Sequence, residues 1–215
     1  MTVGVLLVDD HPIVRDGLQA ALSSHDGIAV VGQASTLAEA RQRIVDPDVD
    51  VVLLDLRLPD GSGTDLLLDI QRIPSPPAVI VLSSFLTPQY VSAAITLGAS
   101  GFQLKTAPTE EIVAAIELVA NGHLAFSAEQ LRASRNAAWA PLTAREHEII
   151  AGVMAGRSND ELSTDLGLAR KTVEAYLSRL FVRYDVATRT ELGIRAERDQ
   201  LLALPVDRRR SQPEG

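Results

Sequence analysis

The sequence predicts an α/β fold, a doubly wound five-stranded parallel sheet, followed by a small all-α domain. Five short apolar runs alternate with amphipathic segments as far as residue 121, and such alternation buries a parallel sheet between two layers of helix. The runs are nearly continuous in hydrophobicity, and the first, third and fourth are rich in β-branched residues, as strands covered on both faces require. Beyond residue 141 the punctuation is helical throughout.

Strands are expected at Val3–Val8, Ile28–Val31, Val49–Leu54, Val79–Leu82 and Gly101–Leu104. Helices are expected at Pro12–Leu22, Leu37–Ile44, Thr64–Arg72, Pro88–Leu97 and Thr109–Ala120. Pro12 suits a first helical turn, where its missing N–H costs nothing. Ile112, Ile116 and Val119 mark one apolar face, and Asn121-Gly122 stops that helix. Residues 123–141 shift to small residues and scattered charge, with a short helical pattern near Ala128–Ala133 and a boundary around Trp139, the only tryptophan. Thr143 with Glu146 and Ser158 with Glu161 match capping boxes opening two helices, which close at Ala155-Gly156 and Gly167. A third helix starts near Ala169 and a fourth runs from Thr188 to Leu202. Short helices joined by tight glycine-containing turns suggest a helix-turn-helix. The expected organisation is 1–122 as the sheet domain, 123–141 as linker, 142–206 as the helical domain and 207–215 as a flexible tail carrying Arg208–Arg210.

The 215 residues are 46% apolar and 22% charged, ordinary globular usage that rules out long disordered or collagen-like chains. Cysteine is absent, which removes disulfides, thiolate metal sites and cysteine nucleophiles and fits a reducing compartment. Val3–Val8 is too short to span a membrane and has no basic leader, so the chain reads as cytoplasmic with no membrane partner. Through Gly122 there are 6 basic and 15 acidic residues; from His123 onward there are 14 and 13. The two parts therefore differ electrically, as domains with different partners do.

In a doubly wound sheet the site lies outside the carboxyl ends of the strands. Those ends deliver Asp9 and Asp10, then Asp55, then Ser83 and Ser84, then Lys105. Clustered carboxylates repel unless a cation joins them, and a hard divalent ion such as Mg2+ takes oxygen ligands together with a phosphate. With a hydroxyl and an ammonium added, the set suits phosphoryl chemistry with a carboxylate nucleophile. Lys105 is one of only two lysines among 20 basic residues, which suggests a need for a compact ammonium on a flexible stem, the alternative being drift at a solvated position.

Val8-Asp9-Asp10-His11-Pro12, Leu54-Asp55-Leu56-Arg57-Leu58-Pro59-Asp60-Gly61-Ser62-Gly63, Leu82-Ser83-Ser84 and Gly101-Phe102-Gln103-Leu104-Lys105 resemble a response-regulator receiver domain over about 120 residues. The resemblance implies a flavodoxin-like fold with Asp55 as phosphoacceptor. It implies Asp9, Asp10, Asp55 and the Arg57 carbonyl as metal ligands, and Ser83, Phe102 and Lys105 as phosphoryl-sensing or switch residues. Many relatives carry Thr in place of Ser83, which keeps the hydroxyl, and Tyr in place of Phe102, which keeps only the ring.

On the third helix of the second part, Val173, Leu177, Leu180, Phe181 and Tyr184 form the expected buried stripe. Lys171, Ala175, Ser178 and Val182 project opposite, with Arg179 and Glu174 on the flanks. Between Arg170 and Arg183 stand four basic residues and one acid, a small cationic face able to enter a major groove. Leu142-Thr143-Ala144-Arg145-Glu146, Gly156-Arg157-Ser158-Asn159-Asp160-Glu161-Leu162 and the run from Lys171 to Leu180 resemble the LuxR-type helix-turn-helix of NarL/FixJ response regulators. That resemblance implies a recognition helix at about 170–184 with DNA contacts drawn from Arg170, Lys171, Thr172, Glu174, Ala175, Ser178, Arg179 and Arg183. Relatives often have Lys where Glu174 stands and His where Tyr176 stands. A carboxylate there repels phosphate and can accept from cytosine N4.

The combined expectation is a transcription factor, not an enzyme. A histidine kinase phosphorylates Asp55 with Mg2+ bound, and a homodimer formed on phosphorylation binds double-stranded DNA. The family further implies that the unphosphorylated receiver can mask the recognition helix, an expectation that the sequence by itself leaves open. Two rivals are a regulator that works without phosphate, its receiver-like domain serving dimerisation, and a Mg2+-dependent phosphatase. The phosphatase lacks an acid/base Asp two residues beyond Asp55, where Arg57 stands.

Overall fold

In a computed structural model, residues 2–84, 86–136, 142–184, 186–199, 201–203 and 206–207 are described, and the chain divides into two units, Met1–Trp139 and Ala140–Gly215. The expectations about Trp139 and Arg208–Arg210 fall outside the described residues.

The first unit holds β1 (Val3–Val8), β2 (Ile28–Ala34), β3 (Val51–Asp55), the short β4 (Arg57–Leu58) and β5 (Gly61–Ser62), β6 (Ala78–Ser83) and β7 (Gly101–Leu104). Its helices are α1 (Pro12–Leu22), α2 (Leu37–Arg43), α3 (Gly63–Ile70), α4 (Pro88–Thr96), α5 (Thr109–Ala120) and α6 (Ala128–Asn136). The five long strands are all parallel in the order β2-β1-β3-β6-β7, the doubly wound arrangement expected. The chain reverses direction across the sheet between β1 and β3, and that is where such folds open a crevice.

Alternation along the strands feeds two layers. Val5, Leu7, Val51, Leu53, Ile80 and Leu82 pack in one cluster with Leu22, Ile112, Ile116 and Val119 from α1 and α5. Their neighbours Leu6, Val8, Val52, Leu54, Val79 and Val81 point the other way and are equally buried, as are Leu37, Leu66, Leu67, Tyr90 and Val91 of α2, α3 and α4. Each large aliphatic side chain so buried contributes about 1.5–3 kcal/mol, which makes the sheet a rigid platform for its loops.

Several boundaries of strands and helices shift by one to three residues from expectation, and three differences in the first unit have a visible cause. β2 runs on to Ala34 through Gly32 and Gln33, residues of weak strand propensity; pairing with β1 holds them after a register shift between Val5 and Leu6. Val49 falls outside β3 because its N–H donates to Asp46 O at 3.1 Å in a turn. The stretch from His123 to Asn136, expected as linker, attaches to the first unit. Ala125 is buried in the core cluster and bridges Gly101 on the edge strand β7, while Gln130 of α6 donates to Phe102 O at 3.1 Å. Composition reports small residues there and cannot show that they cover an otherwise open sheet edge.

The second unit contains β8 (Leu142–Thr143), α7 (Ala144–Met154), α8 (Asn159–Leu166), α9 (Arg170–Tyr184), α10 (Arg189–Arg198), a 3-10 turn at Leu201–Ala203, and β9 (Val206–Asp207) paired parallel with β8. Both capping boxes form: Thr143 and Ser158 accept from the N–H three residues on, and Glu146 and Glu161 reach back. Gly167 ends α8 at φ +62°, a left-handed conformation suited to glycine. The helix expected to reach Leu202 stops at Arg198, where buried Asp199 pairs with Arg195 and Arg198.

Candidate functional site

The strand registers alone assemble the site. Val8 is level with Leu54, so Asp9 follows β1 beside Asp55, the last residue of β3. Asp55 is level with Leu82, which brings Ser83 next to it, and Ser83 is level with Leu104, which brings Lys105. Lys105 N–H donates to Ser83 O at 2.8 Å and fixes that last step. Asp9, Asp55 and Ser83 are 2%, 5% and 3% exposed, so three polar side chains are buried side by side at the carboxyl ends of the strands. Phe102 is fully buried.

Lys105 Nζ stands 2.6 Å from Asp9 Oδ2 and 2.6 Å from Asp55 Oδ2. Burial pushes the Asp55 carboxyl above its ordinary value, although Lys105 and the Arg57 N–H, which donates to Oδ1 at 3.1 Å, pull the other way. Burial works against the Lys105 ammonium, yet its hydrogen bonds and charge attraction to Asp55 and Asp9 outweigh that and hold its pKa above the usual lysine value. Asp55 thus combines a raised proton affinity with a fixed cation beside it.

Asp9, Asp10, His11 and Asp55 each present a donor atom, all within 4.8 Å of one another. Among the described residues two buried carboxylate oxygens there, Asp9 Oδ2 and Asp10 Oδ1, are engaged only by single close contacts at 2.6 Å, with Lys105 Nζ and His11 Nδ1, and keep lone pairs to spare. Buried oxygens normally find a partner, and an oxygen-rich set with unused lone pairs fits a hard divalent cation.

Sequence reasoning missed several supporting residues. His11, within the quoted motif, sets Nδ1 2.6 Å from Asp10 Oδ1 and 3.0 Å from Asp9 Oδ1. Arg15 donates to Asp9 O at 2.5 Å and to Gln33 Oε1 at 3.3 Å, holding the acidic loop against β2. Asp60, in the turn joining β4 and β5, accepts from Leu37 N and Ala38 N at 2.6 and 2.9 Å and so caps α2. No spacing rule links Asp60 to Leu37, 23 residues away.

Gly63 sets the loop's closeness to α3. A Cβ there would lie 2.2 Å from Asp55 O and 2.9 Å from Leu56 Cα, both backbone atoms that cannot swing aside. Gly63→Ala is expected to destabilise the first unit by about 1–3 kcal/mol and to displace the Asp55 loop. The checks are a lowered denaturant midpoint and shifted amide resonances at residues 55–57.

On α9, Val173, Leu177, Leu180 and Tyr184 are buried as expected; Phe181 is only half-buried. Lys171, Thr172, Glu174, Ala175, Ser178, Arg179, Val182 and Arg183 are exposed. The expected cationic face is more compensated than the residue count implies. Arg170 pairs with Asp160 and Glu174, and Arg183 lies 3.4 Å from Glu146 Oε2. Arg179 stacks over Tyr176 with 4.4 Å to the ring centroid.

A phosphoryl-type acidic crevice on a doubly wound sheet, followed by a helix-turn-helix unit, defines a class, and the comparisons agree. The family model of the response regulator receiver domain matches residues 5–117, and that of bacterial regulatory proteins of the luxR family matches residues 140–196. The chain belongs to the response regulators that join a receiver domain to a LuxR-type DNA-binding domain, the NarL/FixJ type, and is a two-component transcriptional regulator. It is 38% identical over 194 residues to the transcriptional regulatory protein MctR of Rhizobium johnstonii, covering 86% of this chain and 89% of that protein. It is 34% identical over 209 residues to the transcriptional regulatory protein LiaR of Bacillus subtilis, covering 93% and 99%. Among solved structures it is similar to the response regulator ChrA of a heme-sensing two-component system, at 31% identity and a TM-score of 0.54, covering 93% and 98%. Among the described residues no helix is long and apolar enough to cross a membrane.

Proposed function

We propose that Asp55 accepts a phosphoryl group from a histidine kinase and that this modification controls DNA binding in the cytoplasm. The observation carrying this is the buried Asp55 carboxylate, raised in proton affinity and 2.6 Å from the Lys105 ammonium. In the transfer an Asp55 oxygen forms a bond to phosphorus as the donor's P–N bond breaks; the leaving imidazole takes a proton, and an acyl phosphate remains. Asp9, Asp10, Asp55 and the Arg57 carbonyl would hold Mg2+, which neutralises charge on the phosphoryl oxygens. Lys105 attracts the new dianion, and Ser83, one register step away, donates its hydroxyl. Phe102 follows on β7, whose edge is covered by Ala125 and Gln130.

The phosphorylated chain acts as a homodimer on paired half-sites of double-stranded DNA, through Arg170, Lys171, Thr172, Glu174, Ala175, Ser178, Arg179 and Arg183 of α9. Receiver chemistry belongs to residues 1–122, with 123–136 attached to that unit and DNA binding in the unit that follows. The chain regulates and turns over no substrate of its own.

The test treats the full chain with a small acyl-phosphate donor and Mg2+. Intact mass, oligomeric state and DNA affinity are followed together. A stoichiometric, metal-requiring phosphoryl adduct accompanied by dimerisation and tighter DNA binding is expected. Equal DNA affinity with and without the adduct would instead favour a regulator independent of phosphate.

A further inference from the structure

Glu174 stands on the exposed side of α9, one turn after Arg170 and one turn before Ser178. Arg170 holds it: Nε donates to Glu174 Oε1 at 3.1 Å, while Nη1 donates to both oxygens of Asp160, in the first turn of α8, at 3.0 and 3.2 Å. One guanidinium therefore compensates two carboxylates on two helices. An arginine occupied in this way is poorly placed to grip guanine O6 and N7, which takes two free, parallel donors.

Glu174 is left in the opposite condition. Among the described residues only its Oε1 is engaged, so Oε2 has free acceptor capacity. Its neighbours on the exposed face, Ala175 and Ser178, are short and let a base edge come close to the helix. The Ser178 hydroxyl is already turned back to Glu174 O at 2.9 Å and does not compete for that edge. A lone carboxylate would be repelled by the phosphate backbone; the Arg170 contact offsets that repulsion and orients the side chain.

We infer that Glu174 reads a cytosine in the major groove of the operator, Oε2 accepting from the N4 amino group. Arg170 is its positioning residue, anchored on Asp160. The inference rests on the proposed DNA-binding function of α9 and deepens it to a base preference. It also removes Arg170 from the residues expected to grip DNA directly.

The experiment selects double-stranded DNA from a random-sequence library with the full chain, with and without an acyl-phosphate donor. Wild type, Glu174→Gln, Arg170→Ala and Arg170→Lys are compared. Wild type should enrich a motif with cytosine at one position of each half-site. Glu174→Gln should change that position to adenine, since a side-chain amide matches adenine N6 and N7, and should leave the other positions alone. Its affinity for the wild-type motif should fall about fivefold or more, the loss of one base contact. Arg170→Ala should blur the same position, and Arg170→Lys should restore it. An unchanged motif for Glu174→Gln overturns the inference. Uniform weakening at every position in Arg170→Ala overturns the positioning role. If no variant and no wild-type sample enriches any sequence, DNA binding itself is wrong and the base preference goes with it.

Discussion

Asp55→Asn is expected to abolish phosphoryl uptake from small donors and from the kinase, and with it the rise in DNA affinity, while leaving the fold at least as stable. The functional part follows from chemistry: an amide oxygen does not form the acyl phosphate. The stability part follows from burial. Because the Asp55 pKa in the folded chain is raised, the folded state holds that proton better than the unfolded state does. The ionised carboxylate therefore costs stability above the raised value, and that cost fades as pH falls through it. A neutral amide avoids the cost at neutral pH and still accepts from Arg57 N–H. Intact-mass measurement and denaturant titration at neutral pH, without metal, read both halves. An adduct on the variant would show that another residue is the acceptor, and a loss of several kcal/mol would show that the carboxylate is a structural support.

Lys105→Met carries the largest expected loss of stability. The ammonium contacts Asp9 and Asp55 at 2.6 Å each, and removing one partner of a buried pair costs about 3–5 kcal/mol. The pH dependence has a definite sign. The folded-state pKa of Lys105 is raised, so its stabilising contribution is complete below the unfolded lysine value of about 10.4 and is lost as pH rises through the folded value. The variant should thus lack the part of the wild type's alkaline destabilisation that Lys105 causes. With Lys105 gone, Asp9 and Asp55 repel without compensation, so mild acid should recover stability. A divalent cation should do the same. Melting curves across neutral and mildly acidic pH, with and without Mg2+, test this. Wild-type stability at neutral pH without metal, or a variant indifferent to both acid and Mg2+, would show that the three side chains do not form one electrostatic unit.

Much of the fold was legible because the local patterns are consistent. Val3–Val8, Pro12–Leu22, Gly101–Leu104 and Thr109–Ala120 appear with the bounds that apolar periodicity and stop signals indicate. The capping boxes at Thr143 and Ser158 likewise open α7 and α8, since capping depends on residues only three apart. Several of the expectations that failed depend on distant partners. Gly32 and Gln33 become strand through β1, and residues 123–136 join the first unit because β7 presents an open edge there. Arg170 and Arg183 contribute to a basic count along α9, yet each faces an acid supplied by another helix.

By itself, the order of residues determined which side chains reach the carboxyl ends of the strands, because chain direction and strand length are local matters once a parallel sheet is granted. Only the tertiary structure decided how those ends are matched. The levels at which β1, β3, β6 and β7 pair bring Asp9, Asp55, Ser83 and Lys105 together. Sliding any strand by one residue would turn its side chains to the opposite face. Burial of both faces forbids such a slip, and so the packing of the core, rather than any motif, sets the distances on which the chemistry depends.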